Sequence, residues 1–350
     1  MGLLHDRGLQ SRLRSVDRIT IVSEGGGVLT SIEVCAGAGG QALGLEQARF
    51  QHVALIENDR HACATLRRNR PYWNTIERDV RSFDATEYRN SPLAPGKRHG
   101  LDLLAGGVPC PPFSKAGRQR GSQDERDLFP EMIRLAKECE PNAVLIENVR
   151  GLLDPIFDEY RADMTVAFSN LGYKVLGFQL LEASDFGVPQ LRPRVAFVAL
   201  KPEYSDHFSW PSGTRSSTPT IGEALYPFMA ENGWEGAEAW RDQAITIAPT
   251  LVGGSKLHGG PDLGPTRARR AWHALGVNGK LLAANAPEAG FVGHPNLTVR
   301  MAACVQGFPD DWEFVGLKTQ AYRQVGNAFP PPVARAIGLK IANAIRRGSR

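Results

Sequence analysis

Val28-Leu29-Thr30-Ser31-Ile32-Glu33-Val34 runs directly into Cys35-Ala36-Gly37-Ala38-Gly39-Gly40. The first stretch is rich in β-branched side chains, which suit a pleated strand. The glycines suit a tight turn, and the residues through Leu43 and Leu45 continue as a helix. The pattern repeats along the chain. A strand at Val53–Glu57 precedes helix 59–69, and a strand at Leu101–Ala105 leads into a loop. Helix 127–139 precedes strand Asn142–Glu147. Helix 159–171 is followed by an extended stretch near Val175 and a strand at Val195–Leu200. Strands alternating with helices predict an α/β fold with a mostly parallel sheet covered on both faces.

Around this frame the texture changes. Residues 1–27 are polar, contain several arginines and end in Gly25-Gly26-Gly27, so they read as an N-terminal extension. Residues 201–295 hold many Pro, Gly, Ser and Trp and no long periodic helix, which predicts an irregular segment. That segment is acidic from Lys201 to Asp242. From Lys256 to Lys280 it is basic, with Arg267, Arg269 and Arg270 against only Asp262. Residues 296–350 regain regularity and end in a helix from about Pro332, closed by Arg346 and Arg347.

The 350 residues carry 22% charged side chains and a formal net charge of +4, a globular mix that fits a polyanionic partner without requiring one. No apolar run reaches the ~18 residues of a membrane span. Arg7, Arg12 and Arg14 interrupt the N-terminal stretch, and Asp6 stands where a myristoylation signal wants Ser or Thr, so a cytoplasmic location is expected. The five cysteines include no C-x-x-C pair and the eight histidines no HExxH, which argues against a disulfide framework or a metal site.

Two places concentrate chemistry. The turn Gly37-x-Gly39-x-x-Ala42 lies 18 residues before a strand-ending acid, Glu57, suited to accept from ribose hydroxyls. Asp79, beyond a third short strand, suits an adenine amino group. The pattern serves an NAD-type or an adenosyl cofactor equally. The second place is Leu101-Asp102-Leu103-Leu104-Ala105-Gly106-Gly107-Val108-Pro109-Cys110-Pro111-Pro112-Phe113-Ser114. A buried strand ending in two glycines and a proline-stiffened turn puts Cys110 at the carboxyl edge of the sheet, where open α/β folds bind ligands. Lys115, Arg118, Arg120 and Arg126 follow, interleaved with Gly117 and Gly121.

From here the chain resembles the DNA (cytosine-5)-methyltransferase family. Its blocks stand in the family's order: Glu33–Gly40; Gly107–Ser114; Glu147-Asn148-Val149; Gln190-Leu191-Arg192-Pro193-Arg194; Arg300 to Asp310; and Gln324-Val325-Gly326-Asn327-Ala328-Phe329-Pro330-Pro331. The resemblance implies a Rossmann-like S-adenosylmethionine-dependent methyltransferase fold. Residues 28–200 plus 296–350 would form the catalytic domain, with a small irregular target-recognition domain at 201–295. Four positions depart from the family pattern: Glu33 and Cys35 replace Asp and Phe, Pro111 replaces the Gln after the nucleophile, and Met301 replaces the Glu after Arg300.

The resemblance assigns roles. Cys110 is the nucleophile that adds to cytosine C6, a step that makes C5 nucleophilic. Glu147 binds the N3 and N4 edge, Arg194 the O2, and Arg192 orients Glu147 and the loop. Arg192 and Arg194 are also the cations expected to favour the Cys110 thiolate. Cys35, Ala36, Gly37 and Gly39 would surround the methionine part of S-adenosylmethionine, Glu57 the ribose and Asn58 the adenine face. Asp79 and Val80 would take the adenine edge. Pro109 and Leu128 would line the pocket, and Asn327 and Phe329 would close it. The product is S-adenosylhomocysteine, and no metal is expected. Double-stranded DNA is the partner, with the target base rotated out of the helix. Ser114, Arg118, Arg120, Lys256, Arg267 and Arg269 are the expected DNA contacts. The short insert suggests monomeric action in a bacterial or phage restriction–modification system, with any endonuclease a functional rather than physical partner. An NAD-dependent dehydrogenase would leave the Pro-Cys block, Glu147 and Gln190–Arg194 unexplained. A non-catalytic DNA-binding relative would not need Cys110, Glu147 and Arg194 together. A tRNA methyltransferase of the same family would carry a Cys-Phe-Thr tripeptide, absent here.

Overall fold

The computed structural model describes residues 28–88, 100–109, 127–213, 218–254, 260 and 262–349. In chain order the first part gives β1 (Leu29–Val34), α1 (Gly40–Gln47), β2 (Phe50–Glu57), α2 (Arg60–Asn69), β3 (Thr75–Glu77) and β4 (Leu103–Gly106). Then come α3 (Phe129–Cys139), β5 (Ala143–Val149), α4 (Asp158–Asn170), β6 (Lys174–Glu182) and β7 (Pro193–Leu200). The strands form one sheet in the order β3-β2-β1-β4-β5-β7-β6. The first five are parallel, and β7 runs antiparallel to both its neighbours. The reversal has a simple cause: the link from β6 to β7 is too short for the crossover that a parallel pair needs. The extended stretch expected near Val175 is a full strand, β6.

The remaining helices are α5 (Pro202–Ser205), α6 (Ile221–Met229), α7 (Ala237–Gln243), α8 (Thr266–His273), α9 (Val299–Val305), α10 (Lys318–Asn327) and α11 (Pro331–Gly348). Those within 201–295 are short, in line with the lack of long periodicity. α6 nonetheless had a readable start. Thr220 and Glu223 form a reciprocal capping box that satisfies two free N–H groups. Among the described residues, no helix is long and apolar enough to cross a membrane.

The two-residue period of the strands divides the core. Leu103, Ala105, Ala143 and Leu145 face α1 and α11 in one apolar cluster. Leu104, Val144 and Ile146 face α3 and α4 in another, with Phe129, Met132 and Phe168. A third cluster joins Leu43, Leu55, Leu66 and Trp73 to Trp272, Trp312 and Tyr322, so the late segments share a core with the near end of the sheet.

α1 and α11 cross closely at Gly44. A Cβ there would fall within the carbonyl oxygen of Pro331 and come to 2.6 Å from Ala334 Cβ. Alanine would improve the helix by about 1 kcal/mol, but the two backbones would have to part. Gly44→Ala is therefore expected to lose a net stability of about 1–3 kcal/mol, read by urea unfolding. A gain in stability would show that the helices separate freely.

Candidate active site

The strand register brings the functional residues level. Val34 pairs with Ile56 and Gly106, and Gly106 with Ile146. One residue further on, Cys35, Glu57, Gly107 and Glu147 therefore line up along the carboxyl edge of the sheet.

The glycine turn forms one half of this edge. Gly37 sits at φ 54° with open space where a Cβ would be, and Gly39 at φ 88° where a Cβ would come to 2.7 Å from Leu66. Gly37 N–H donates to Glu57 Oε2 at 2.8 Å, while Asn58 and Asp59 N–H donate to Oε1 at 2.9 and 2.7 Å. Burial raises the Glu57 pKa, and these three donors oppose the rise. Cys35, also left-handed at φ 52°, has its thiol pushed up to about 12 by burial and then by the nearby Glu57 and Asp79. Asp79 accepts from Arg81 N–H and pairs with the Arg81 guanidinium at 2.9 Å. Ala36 and Val80 are buried, Asn58 and Pro109 are exposed, and Leu128 packs against the cluster that Cys35 touches. Phe329 is buried, with its carbonyl against Gly40. Asn327 Nδ2 donates to Gly254 O at 3.2 Å.

The other half is polar and mostly dry. Glu147 Oε1 meets Arg194 Nε at 2.9 Å, each side chain 12% exposed. Burial raises the Glu147 pKa, while Arg194 and then Arg192 pull it down. Arg192 is fully buried, and its guanidinium bonds go to carbonyls rather than to Glu147. It donates to Leu251 O at 2.9 Å, Gly326 O at 2.6 Å and Ala328 O at 3.1 Å. Its effect on Glu147 is exerted through charge. Cys110, Ser114, Arg118, Arg120 and Lys256 lie outside the described residues. Arg267 is exposed on α8, whereas the stem of Arg269 packs 3.3 Å from the Cβ position of Gly279 and its tip donates to Thr266 Oγ1 at 3.4 Å.

Several polar residues had no role assigned from the sequence. Asn148 Nδ2 donates to Val108 O at 3.0 Å and so fixes the chain just before Cys110. Its signal was readable: it follows Val144 and Ile146 on a buried strand face, where a polar side chain is out of place. Gln190, fully buried, accepts from Leu251 N–H at 2.8 Å and donates to Gln306 Oε1 at 2.7 Å. Glu33 is 1% exposed with Oε2 unpartnered among the described residues. Burial, then the charges of Glu57 and Glu147, hold its pKa well above the usual carboxylate range, against one bond from Ala42 N–H.

A sheet of this order with a ligand-binding carboxyl edge is the Rossmann-like fold of S-adenosylmethionine-dependent methyltransferases. Residues 29–343 match the C-5 cytosine-specific DNA methylase family, and the chain belongs to it. The Type II methyltransferase M.NgoMIV of Neisseria gonorrhoeae is 54% identical over 331 residues, covering 91% of this chain and 98% of its own length. M.NaeI of Lentzea aerocolonigenes is 52% identical, covering 91% of this chain and 75% of its own. Among solved structures, a DNA modification methyltransferase encoded within an Escherichia coli prophage superposes with TM-score 0.64 at 23% identity, covering 91% of this chain and 99% of its own. Spodoptera frugiperda DNMT2 gives TM-score 0.58 at 16% identity, covering 89% and 99%. The chain is thus a DNA cytosine-5-methyltransferase of the restriction–modification kind.

The raised pKa of Glu33 has a stability consequence with a definite sign. Below the unfolded pKa the group is protonated in both states. Above it, unfolding releases a proton, so the native state loses stability as pH rises until Glu33 itself ionises. Glu33→Gln removes that slope. The variant is expected to gain on the wild type by up to about 1.4 kcal/mol per pH unit above the unfolded pKa, measured by urea unfolding at pH 5 and pH 8. An unchanged difference between the two would show that Glu33 is ionised in the fold.

Proposed function

We propose that the chain transfers a methyl group from S-adenosylmethionine to C5 of a cytosine flipped out of double-stranded DNA, through a covalent bond between Cys110 and C6. One observation carries this reading: the Gly37–Glu57 cradle and the Glu147–Arg194 pair stand level on one sheet edge, with the chain to Cys110 leaving from between them. The open space over Gly37 and the carboxylate fixed by three backbone donors fit an adenosyl cofactor. Glu57 would hold the ribose, and Val80 and Leu128 the adenine. Bound there, the cofactor supplies an electrophilic methyl group.

The protein's own residues do the rest. Cys110 Sγ bonds to C6, and the electron pair moves to C5. The Glu147 carboxyl accepts from the N4 amino group and donates to N3, a role that the burial raising its pKa supports. Arg194 fixes that carboxyl and faces the O2 side. C5 takes the methyl, its proton leaves to water, and the C6–S bond breaks to return the cysteine. The proposal divides the chain into a catalytic domain of 28–200 plus 296–350 and a target-recognition segment of 201–295, acting as a monomer. A cognate endonuclease would be a functional partner.

Tritiated methyl transfer to DNA is the direct test. Cys110→Ser is expected to fall by at least about a thousandfold, and bisulfite sequencing of DNA from expressing cells should show 5-methylcytosine in one short context. Activity equal to wild type would refute the covalent route. At the recognition segment, Arg267→Ala should weaken binding and lower the salt slope of log K by about 1. Arg269→Ala should change it less, because its stem packs against Gly279. Fluorescence anisotropy across a salt series separates the two.

A further inference from the structure

Gln41 is a polar residue in an apolar place. It lies in the first turn of α1, 3% exposed, among buried Ala42, Leu43 and Leu45. Its Nε2 is buried and has no hydrogen-bond partner among the described residues. An unspent buried donor is costly, and an apolar side chain would avoid the cost. The surroundings say where the amide can be used. The position a Cβ would take on Gly107 is 3.3 Å from Glu147 Oε2, 3.9 Å from Gln41 Oε1 and 4.0 Å from Cys35 O. Gln41 Oε1 and the Glu147 oxygen not held by Arg194 therefore border the same Cβ position on Gly107, three residues before Cys110, and turning the amide end for end would present its N–H there instead.

We infer that Gln41 is a positioning residue for the reaction: its side-chain N–H serves Glu147 Oε2, directly or through one bridging water, and sets the carboxyl's orientation against the flipped cytosine. The inference rests on the proposed role of Glu147. Two oxygens need two anchors if the carboxyl is to present a fixed edge. Arg194 holds one, and Gln41, with an unspent donor, borders the same Cβ position on Gly107 as the other. A water between the amide, Glu147 Oε2 and the Cys35 carbonyl would have the polar partners it needs. The other ionisable groups that act on Glu147 are Arg194 of β7, Arg192 just before it and Glu33 of β1.

Gln41→Leu separates this role from a structural one. Relief of the unspent donor should leave the melting temperature at or above wild type. The kcat for methyl transfer should nevertheless fall about tenfold to a hundredfold, the weight of one hydrogen bond to a charged group. A donor favours the ionised carboxylate, so its loss should move the basic limb of the kcat–pH profile to higher pH. The KM for S-adenosylmethionine should stay within about twofold, since only a transition-state contact is removed. Gln41→Met, of matching length, replaces the variant if Gln41→Leu does not fold. A kcat and pH profile that superpose on wild type would overturn the inference. So would a raised KM for S-adenosylmethionine with an unmoved pH limb, because Gln41 would then serve the cofactor. Glu147→Gln is run alongside: if it keeps full activity, the reading of Glu147 itself fails, whatever Gln41→Leu does.

Discussion

A guanidinium taken wholly out of water must recover its hydration from the protein, and the two Nη groups of Arg192 recover it from two separate parts of the chain, while its Nε has no partner among the described residues. Its donors reach the carbonyls of Leu251, Gly326 and Ala328. Burial lowers its proton affinity, with Arg194 adding to the effect, yet a guanidinium keeps its proton in any protein environment. The charge is therefore permanent, and the carbonyls must stay where they are. Gln190 and Gln306 extend the same network, closing Leu251 N–H and the end of α9 onto it. A chain that leaves the sheet at Leu200 and returns a hundred residues later is held to it at this point. Truncating one partner of such a buried group costs far more than a surface ion pair is worth.

Three carboxyls share the carboxyl edge, and the fold treats each differently. Glu57 is given three backbone N–H donors, Glu147 a guanidinium, and Glu33 a single backbone donor and deep burial. Close like charges cannot all ionise in a dry site. Environments that push neighbouring proton affinities apart separate groups that bind from groups that hold a proton. Glu57 is the one provided for as an anion. Glu33 is left to stay neutral, and Glu147 stands between them.

Most of the sheet was readable because its signals are local. The β-branched run at 29–34, the glycine turn and the alternating helices each declare themselves within a dozen residues. β6 was harder, since its exposed positions give it weak alternation against its neighbours. The two motif blocks that hold Glu147 and the arginines were readable, but the contact to Glu147 expected of Arg192 is made in the fold by Arg194 at 2.9 Å. The carbonyl ligands of Arg192 were not readable, because they are backbone atoms 59 to 136 residues away with no side-chain signature. Gln41 was hidden for the opposite reason. It sits in a helix whose neighbours are apolar, and only the contacts at the Cβ position of Gly107 show what it faces. At Met301 the fold explains a departure from the family pattern: the residue is the third of α9, and its sulfur takes the Thr298 N–H at 3.4 Å where an acid would take it more strongly.

Cys35 has its thiol pushed up to about 12 by burial and then by the nearby Glu57, Asp79 and Glu33, which disfavours the thiolate. Under the proposed chemistry Cys110 must do the reverse and carry a negative charge close to Glu147. Two negative charges there would oppose each other, and the charges of Arg194 and Arg192, both already acting on Glu147, do not remove the conflict. A protonated Glu147 does. The burial that raises its pKa works in that direction, against the pull of Arg194 and Arg192. Under the proposed chemistry the site would then carry a single negative charge, on sulfur, with Glu147 as the proton donor beside it.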